Sequence, residues 1–304
     1  MSYRILSING GGIRGIFQAT YLKEVKKSFE SLLHENFELI AGTSTGSIIA
    51  LAVALNIDME KVVYLFRSKG EEIFSPRLFA SIRKGARYKK EPLEKALKDI
   101  FEEYTLKDCK ENGIDVVITA TTLDSFDCRV FSTLHSPDVK NHDLELSVVE
   151  VIMSSCAAPT FFEPAQLTNR ERHYIDGGIW ANTPSLLAIC HAYNYSEIAF
   201  RNMQVVSLGN GEISQGLTVA QYNNLMPIGM ISPLFNMMFA TQSIAADGMV
   251  GMILGEENLM KINTTLENAI DLDEVDNALT KLPPLAEHEA RESVGKLKEF
   301  LRNK

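Results

Sequence analysis

A serine flanked by glycines, at Gly42-Thr43-Ser44-Thr45-Gly46, is the strongest chemical signal in this chain of 304 residues. The apolar run at 37–41 predicts a buried strand before it, and the apolar run at 47–55 predicts a buried helix after it. A serine at such a strand–turn–helix junction exposes its hydroxyl on a sharp turn, as in a nucleophile elbow. Ser44 is therefore the candidate nucleophile, and Gly42 and Gly46 allow neighbouring backbone to approach it. The alternative is a tight turn that carries an incidental serine.

A glycine cluster, Gly10-Gly11-Gly12-Ile13-Arg14-Gly15, follows the first predicted strand at 4–9. Acyl transfer through a serine needs a base for the hydroxyl and hydrogen-bond donors for the oxyanion. Successive glycines leave their backbone N–H groups unencumbered, so this loop can supply the donors. The base could be Asp176, which lies between a predicted strand and Gly177-Gly178, or one of six histidines.

Three arrangements compete for these motifs. The first is an α/β-hydrolase triad in the order Ser44, Asp176 and then His191 or His288, but that fold has several strands before its elbow and here there is room for two. The second takes 10–15 as a G-x-G-x-x-G dinucleotide loop, but the end of the next strand, at 40–42, lacks the acidic residue that such a site uses. The third is a dyad in which Asp176 acts directly on Ser44.

In order and spacing, four motifs together resemble the patatin-like phospholipase family. They are the glycine loop with Arg14, the Ser44 elbow, Ser155-x-Ala157-Ala158-Pro159, and Asp176-Gly177-Gly178. The resemblance covers residues 4 to 210. It implies a lipid acyl hydrolase of the phospholipase A or lysophospholipase type, with a three-layer α/β/α fold, a mainly parallel sheet, a Ser-Asp dyad, no metal and no cofactor.

The resemblance also implies roles for individual residues. Ser44 is the nucleophile, Asp176 is the general base, Gly10, Gly11 and Gly12 supply the oxyanion donors, and Arg14 closes the loop with a positive charge. One departure is Asn9, because the family often has Asp at that position; Asn can make the same loop hydrogen bonds without the charge. A carboxylate of ordinary pKa is a weak base toward a serine hydroxyl, so we expect the site to dehydrate or closely align Asp176.

Composition narrows the class of protein further. The formal net charge of −9 argues against binding to a nucleic-acid polymer. The amino terminus lacks the features of a signal peptide, and no apolar run approaches the eighteen or so residues of a membrane span. We therefore expect a cytoplasmic protein that meets a phospholipid membrane only peripherally. The four cysteines form no CxxC pair, which predicts reduced thiols.

Two segments suggest regulation. Residues 77–90 carry six basic side chains and no acidic one, which predicts either a solvated loop or a surface for anionic phosphate of a lipid headgroup or nucleotide. Residues 225–260 contain seven of the eleven methionines, which predicts either a helical cap or an adaptable apolar surface. The chain resembles the bacterial branch of the family, in which some members are antiphage effectors activated by cyclic dinucleotides. This makes a cyclic dinucleotide a candidate activator.

Strands that alternate with helices predict an α/β fold with a largely parallel sheet. We expect a catalytic domain at 1–210 and a mainly helical C-terminal extension at 211–304, packed on the same domain. Two other functions stay open at this point: a general carboxylesterase, and a nucleotide-binding module that uses the loop from Gly10 to Gly15.

Overall fold

The computed structural model describes residues 2–77, 85–135, 142–168, 170–213, 216, 218–224 and 231–302. The elements of the amino-terminal part are, in chain order, β1 (Tyr3–Ile8), α1 (Gly15–Lys26), β2 (Leu39–Thr43), α2 (Thr45–Ala54), α3 (Met59–Ile73), α4 (Glu91–Phe101), α5 (Leu106–Glu111), β3 (Asp115–Thr122) and β4 (Asp127–Ser132). A 3-10 turn at Gly12–Arg14 joins the glycine loop to α1.

The second part of the chain alternates short strands with helices of increasing length. Its elements are α6 (Val148–Ser155), β5 (Ala165–Gln166), β6 (His173–Asp176), α7 (Gly178–Ala181), α8 (Ser185–Tyr195), β7 (Met203–Leu208), β8 (Glu212–Ile213), α9 (Val219–Asn223), α10 (Ile231–Leu254), β9 (Leu259–Ile262), β10 (Thr265–Leu266) and α11 (Val275–Arg302).

The central sheet has eight strands in the order β5-β6-β3-β2-β1-β7-β9, with β4 paired to β3. The strands from β3 to β9 in this order are parallel, whereas β4 and β6 run antiparallel to β3, and β5 runs antiparallel to β6. The predicted α/β fold is confirmed, with a parallel centre and antiparallel additions at one side of the sheet. A separate two-stranded pair joins β8 and β10.

Alternation along the strands produces two cores, one on each face of the sheet. Leu6 of β1 and Ile40 of β2 contact the larger core, which α1, α2, α3 and α11 cover. Ile5 and Leu39, one position earlier on each strand, contact the smaller core with α8 and α10. Successive side chains of a strand point to opposite faces, so the sheet is buried on both sides and the fold has three layers.

The apolar spacing in the sequence after the glycine loop predicts a helix from about residue 16 to residue 33, but α1 ends at Lys26. Leu33 is buried and Phe29 packs on the same core, so the apolar spacing continues past the helix. The chain has to turn back there toward β2, and it does so through a 3-10 turn at His34–Asn36. The apolar spacing therefore continues to residue 33 because these side chains still contact the core, although the helix has already ended at Lys26.

The residues beyond 210 that the structure describes are mainly helical and pack on the rest of the chain. β9 adds a parallel edge strand beside β7, and Tyr21 of α1 is hydrogen-bonded to Ser293 of α11 at 2.9 Å. A division into domains at residue 210 stays a prediction.

The sequence analysis predicts no membrane span. However, the long helix α10 contains a segment, Pro233–Leu254, whose length and composition would suffice to cross a membrane. Only 28% of the apolar 18-residue window within that segment is buried. Its outer face exposes Leu234, Met237, Ile244 and Met252, and its inner face lies against the molecule. Residues 225–230 of the methionine-rich segment lie outside the described residues; the rest of it forms a helix over the molecule with an exposed apolar face, and an adaptable binding surface stays a prediction.

Part of the basic segment, 78–84, lies outside the described residues. On either side of it, Arg77 forms an ion pair with Glu163 at 2.7 Å and Arg87 forms one with Asp273 at 2.8 Å. Two of the six basic side chains thus have carboxylate partners, and a phosphate-binding surface stays a prediction.

Candidate active site

Ser44 lies on a strained turn between β2 and α2. Its φ of 53° and ψ of −129° are rare for a residue other than glycine. Its backbone N–H donates to Ser155 Oγ at 2.8 Å, which stabilises the turn from the end of α6. Two glycines make the turn sterically feasible: a Cβ on Gly42 would lie 2.6 Å from Gly46 O, and a Cβ on Gly46 would collide with Ile8 O.

Strand register brings Asp176 to Ser44. Thr43, the last residue of β2, pairs with Thr119 of β3, and the next residue of β3, Ala120, pairs with Asp176 at the end of β6. Asp176 therefore lies immediately beyond the end of β2, where Ser44 follows. Ser44 Oγ donates to Asp176 Oδ2 at 2.6 Å.

The Asp176 carboxylate is buried, with 4% of its surface exposed. Burial raises its pKa to about 6, and hydrogen bonds from Ser44 and from the Gly178 N–H, 2.6 Å from Oδ1, oppose that rise. This is the dehydration that a direct aspartate base requires. A second ionisable group, the Cys156 thiol, is close by; burial and the neighbouring charge of Asp176 raise its pKa, so it stays protonated.

The glycine loop lies against the elbow, but its three N–H groups differ in availability. Gly10 N–H donates to Asn182 O at 3.0 Å, and Gly11 N–H donates to Thr45 Oγ1 at 3.2 Å. Gly12 N–H donates to no residue that the structure describes, and Gly11 and Gly12 both line the cavity over Ser44. The prediction that Gly10 is an oxyanion donor therefore needs correction, because its N–H is already used to anchor the loop.

Arg14 is buried, and its side chain folds back on the glycine loop. Its Nε donates to Gly11 O at 3.4 Å, and burial lowers the pKa of the guanidinium to about 10, at which it stays charged at neutral pH. Gly11 O and Gly12 N–H belong to the same peptide group. Arg14 therefore orients and polarises the peptide that presents the Gly12 N–H.

The remaining motif glycines pack closely around these elements. At Gly12, φ is +57°, and a Cβ there would collide with Leu272 O. A Cβ on Gly177 would collide with Thr119 Oγ1, and one on Gly15 would lie 2.8 Å from Phe66. The small residues in these motifs thus allow three loops to converge on Ser44.

Helix α2 adds an electrostatic contribution. Ser44 is its N-cap residue, so the free N–H groups of the first turn and the positive end of the helix dipole lie beside the nucleophile. Negative charge that develops near Ser44 is favoured there.

A cavity of about 30 Å³ lies over Ser44 and Asp176. That volume accommodates water but no acyl chain. Large apolar side chains form its roof, two of them from α10: Phe74, Pro159, Phe161, Phe235, Phe239 and Leu272. Access for a lipid therefore requires this roof to move.

The structure does not support the two rival arrangements. Within the described residues, Ser44 and Asp176 form no hydrogen bond with a histidine; His191 contacts Tyr195 of its own helix instead. The loop at 10–15 packs on Ser44, Asn210 and Leu272, and the neighbouring strand β2 carries no carboxylate that could bind a ribose.

Several residues of the site lack a clear sequence signal. Asn210 Nδ2 donates to Gly10 O at 2.7 Å, and Asn182 Nδ2 donates to the same oxygen at 3.2 Å. Gln242 of α10 bonds to the segment that follows Asp176. For Gln242, the available sequence signal is that a polar residue lies within the apolar helix α10. Ser155 belongs to the motif Ser155-x-Ala157-Ala158-Pro159, but its contact with the Ser44 N–H depends on tertiary structure.

Comparison with known proteins identifies the family of this chain. A sequence model of the patatin-like phospholipase family matches residues 6–189. The chain is 28% identical to a cGAMP-activated phospholipase of Pseudomonas aeruginosa, with 97% of this chain and 90% of that protein aligned. It is 27% identical to a cUMP-AMP-activated phospholipase of Escherichia coli, over 98% of this chain and 93% of that protein. A cGAMP-activated phospholipase of Vibrio cholerae is 29% identical over 68% of this chain and 63% of its own length.

Proposed function

The chain belongs to the patatin-like phospholipase family, and on that premise we propose that it hydrolyses acyl ester bonds of membrane phospholipids through a Ser44–Asp176 dyad. The observation that carries the proposal is the 2.6 Å hydrogen bond from Ser44 Oγ to a buried carboxylate of raised pKa. A serine next to a base within hydrogen-bond reach is the arrangement required for acyl transfer.

In the first half-reaction, Asp176 takes the Ser44 proton while Ser44 Oγ attacks the ester carbonyl carbon. The carbonyl oxygen becomes an oxyanion, for which the candidate donors are the Gly12 N–H, which no described residue uses, and the first turn of α2; the Gly11 N–H could join them only by leaving Thr45 Oγ1. Collapse of the intermediate breaks the ester bond. The alcohol oxygen of the lysolipid leaves with the proton from Asp176, and the acyl group stays on Ser44.

In the second half-reaction, Asp176 takes a proton from water, and the resulting hydroxide attacks the acyl-serine carbonyl carbon. The bond to Ser44 Oγ breaks and Ser44 recovers a proton from Asp176. The products are free fatty acid and the original enzyme, and every proton is returned.

The proposal also includes activation of this hydrolase by a cyclic dinucleotide. Two relatives that align with nearly the whole chain are named for activation by cGAMP or cUMP-AMP. The roofed cavity over Ser44 fits an enzyme that stays inactive until a signal opens it. In this proposal the protein works in the cytoplasm, binds peripherally to the inner face of the membrane and serves in antiphage defence.

The test is release of free fatty acid from mixed phospholipid vesicles by the wild type and by Ser44→Ala, each with and without a panel of cyclic dinucleotides. We expect release that depends on Ser44 and rises with one of the nucleotides. Release that persists in Ser44→Ala would overturn the dyad. Equal release without any nucleotide would overturn the switch, and hydrolysis of monomeric short-chain esters alone would indicate a general carboxylesterase.

A further inference from the structure

Gln242 connects the roof helix to the segment that carries the catalytic carboxylate. Its Oε1 accepts the Asn182 N–H at 2.8 Å. Its Nε2 donates to Gly178 O at 3.2 Å and to Ile179 O at 3.1 Å. One half-buried side chain of α10 therefore forms hydrogen bonds with both ends of the one-turn helix α7.

One path leads from Gln242 to the base. α7 begins at Gly178, and the Gly178 N–H is the donor to Asp176 Oδ1 at 2.6 Å. A helix of four residues has little stability of its own. The hydrogen bonds from Gln242 therefore help to fix where the Gly178 N–H meets the carboxylate, and hence how Oδ2 faces Ser44.

A second path leads from Gln242 to the glycine loop. Asn182, whose N–H bonds to Gln242, is buried and contacts Gly10 twice: its O accepts the Gly10 N–H at 3.0 Å and its Nδ2 donates to Gly10 O at 3.2 Å. The position of Asn182 therefore sets the position of the loop that presents the Gly11 and Gly12 N–H groups.

We infer that Gln242 is a positioning residue that holds α7 and Asn182, so that the Asp176 carboxylate and the glycine loop are aligned on Ser44. The inference rests on the proposed function, because it assigns a role in that reaction. Gln242 shares α10 with Phe235 and Phe239, which roof the cavity. The placement of the roof and the alignment of the catalytic groups are thus coupled through one side chain.

The test compares two substitutions with a neighbour on the same helix. Gln242→Met keeps the length of the side chain and removes its hydrogen bonds. Gln242→Glu keeps the shape and the acceptor for the Asn182 N–H but faces two carbonyl oxygens with a carboxylate. Thr241→Val is the matched control, because Thr241 is exposed and its hydroxyl, among the residues that the structure describes, bonds to Met237 O and Met238 O of its own helix.

The readouts are the rate at which a short-chain fluorophosphonate labels Ser44, its dependence on pH, and the folded fraction by circular dichroism. We expect both Gln242 variants to label about tenfold to a hundredfold more slowly, since small misplacements of reacting groups have effects of that size. We also expect the midpoint of the pH profile to rise, because a weaker Gly178 hydrogen bond stabilises the carboxylate less. Thr241→Val should match the wild type.

An unchanged labelling rate and midpoint in both variants would overturn the inference. A labelling rate that falls only in proportion to the folded fraction, with an unchanged midpoint of the pH profile, would also overturn it. That result would indicate a structural role alone. If wild-type labelling does not depend on Ser44, the proposed function fails and this inference fails with it. Ser44-dependent labelling with unshifted variants would overturn the role of Gln242 alone.

Discussion

Asp176 Oδ2 accepts a 2.6 Å hydrogen bond from Ser44 Oγ, although the two residues are 132 positions apart in the sequence. The carboxylate is buried, and its second oxygen accepts the Gly178 N–H. A carboxylate held in this way is dehydrated, aligned and more basic than an exposed aspartate. In the proposed mechanism, its hydrogen bond to Ser44 serves where other hydrolases use a histidine.

Asp176→Asn should abolish turnover and preserve the fold. The amide oxygen can still accept the Gly178 N–H, but the amide cannot take the Ser44 proton. We expect hydrolysis of a monomeric ester to fall by at least about a thousandfold, as when a general base is removed. Asp127→Asn, at the exposed beginning of β4, is the matched control. Substantial residual hydrolysis in Asp176→Asn would show that another group is the base.

Activity should rise with pH through about 6. The base must be ionised to accept a proton, and burial raises the pKa of Asp176 to about 6. The measurement is the pH dependence of kcat/KM for a monomeric ester, with circular dichroism at each pH to show that the protein stays folded. A midpoint near the ordinary aspartate value of about 4 would contradict the effect of burial.

The raised pKa of Asp176 also predicts how the stability of the fold changes with pH. The folded protein holds the Asp176 proton more tightly than the unfolded chain, so this group makes folding less stable as pH rises from about 4 to about 6. Asp176→Asn removes that penalty, which is about 3 kcal/mol at neutral pH for a carboxyl whose pKa rises from the ordinary value to about 6. We expect a higher thermal midpoint than wild type at pH of about 8, and a smaller difference at pH of about 4. A difference that does not depend on pH would contradict this account.

Arg14→Met should slow the reaction while Ser44 and Asp176 stay in place. The variant loses the Nε hydrogen bond to Gly11 O, which orients the peptide that presents the Gly12 N–H. We expect a loss of about tenfold to a hundredfold in kcat, with a smaller change in KM. Arg4→Met removes an arginine whose ion pair with Glu38 is outside the site, and it should leave kcat unchanged. An unaffected rate in Arg14→Met would show that the loop does not depend on the guanidinium.

Phe239→Ala should open the roof over the nucleophile. Removing the ring enlarges a cavity of about 30 Å³, so we expect a long-chain fluorophosphonate to label Ser44 several-fold faster in the absence of any activator. The lost packing should cost about 1–3 kcal/mol of the free energy of unfolding, because the ring is half-buried. Met252→Ala is the control, because it also truncates a large apolar side chain of α10 but does so on the exposed face of the helix. Slower labelling in Phe239→Ala would mean that the ring helps to bind the acyl chain.

Sequence patterns predicted the elements around Ser44 because their causes are local. The apolar runs before and after Ser44 form β2 and α2, and the small residues at Gly42 and Gly46 occur where backbone approaches backbone. The end of α1 was misplaced because Leu33 keeps core contact after the helical hydrogen bonds have stopped.

Sequence motifs also selected Asp176 as the base, but only the register of β3 with β2 and β6 decides that it reaches Ser44. The use of the Gly10 N–H by Asn182 could not be foreseen, because it depends on a contact over 172 residues. The roof over the cavity and the role of Gln242 depend in the same way on where α10 packs.

The sequence by itself therefore determined the α/β class and the turn that carries Ser44, and it predicted Asp176 as the base and the glycine loop as the source of oxyanion donors. Propensity, periodicity and steric demand act within a few residues and are readable there. Tertiary structure alone decided which N–H groups are free, how far burial raises the pKa of Asp176 and how α10 closes the site. These properties arise from contacts between distant segments, which no local pattern records.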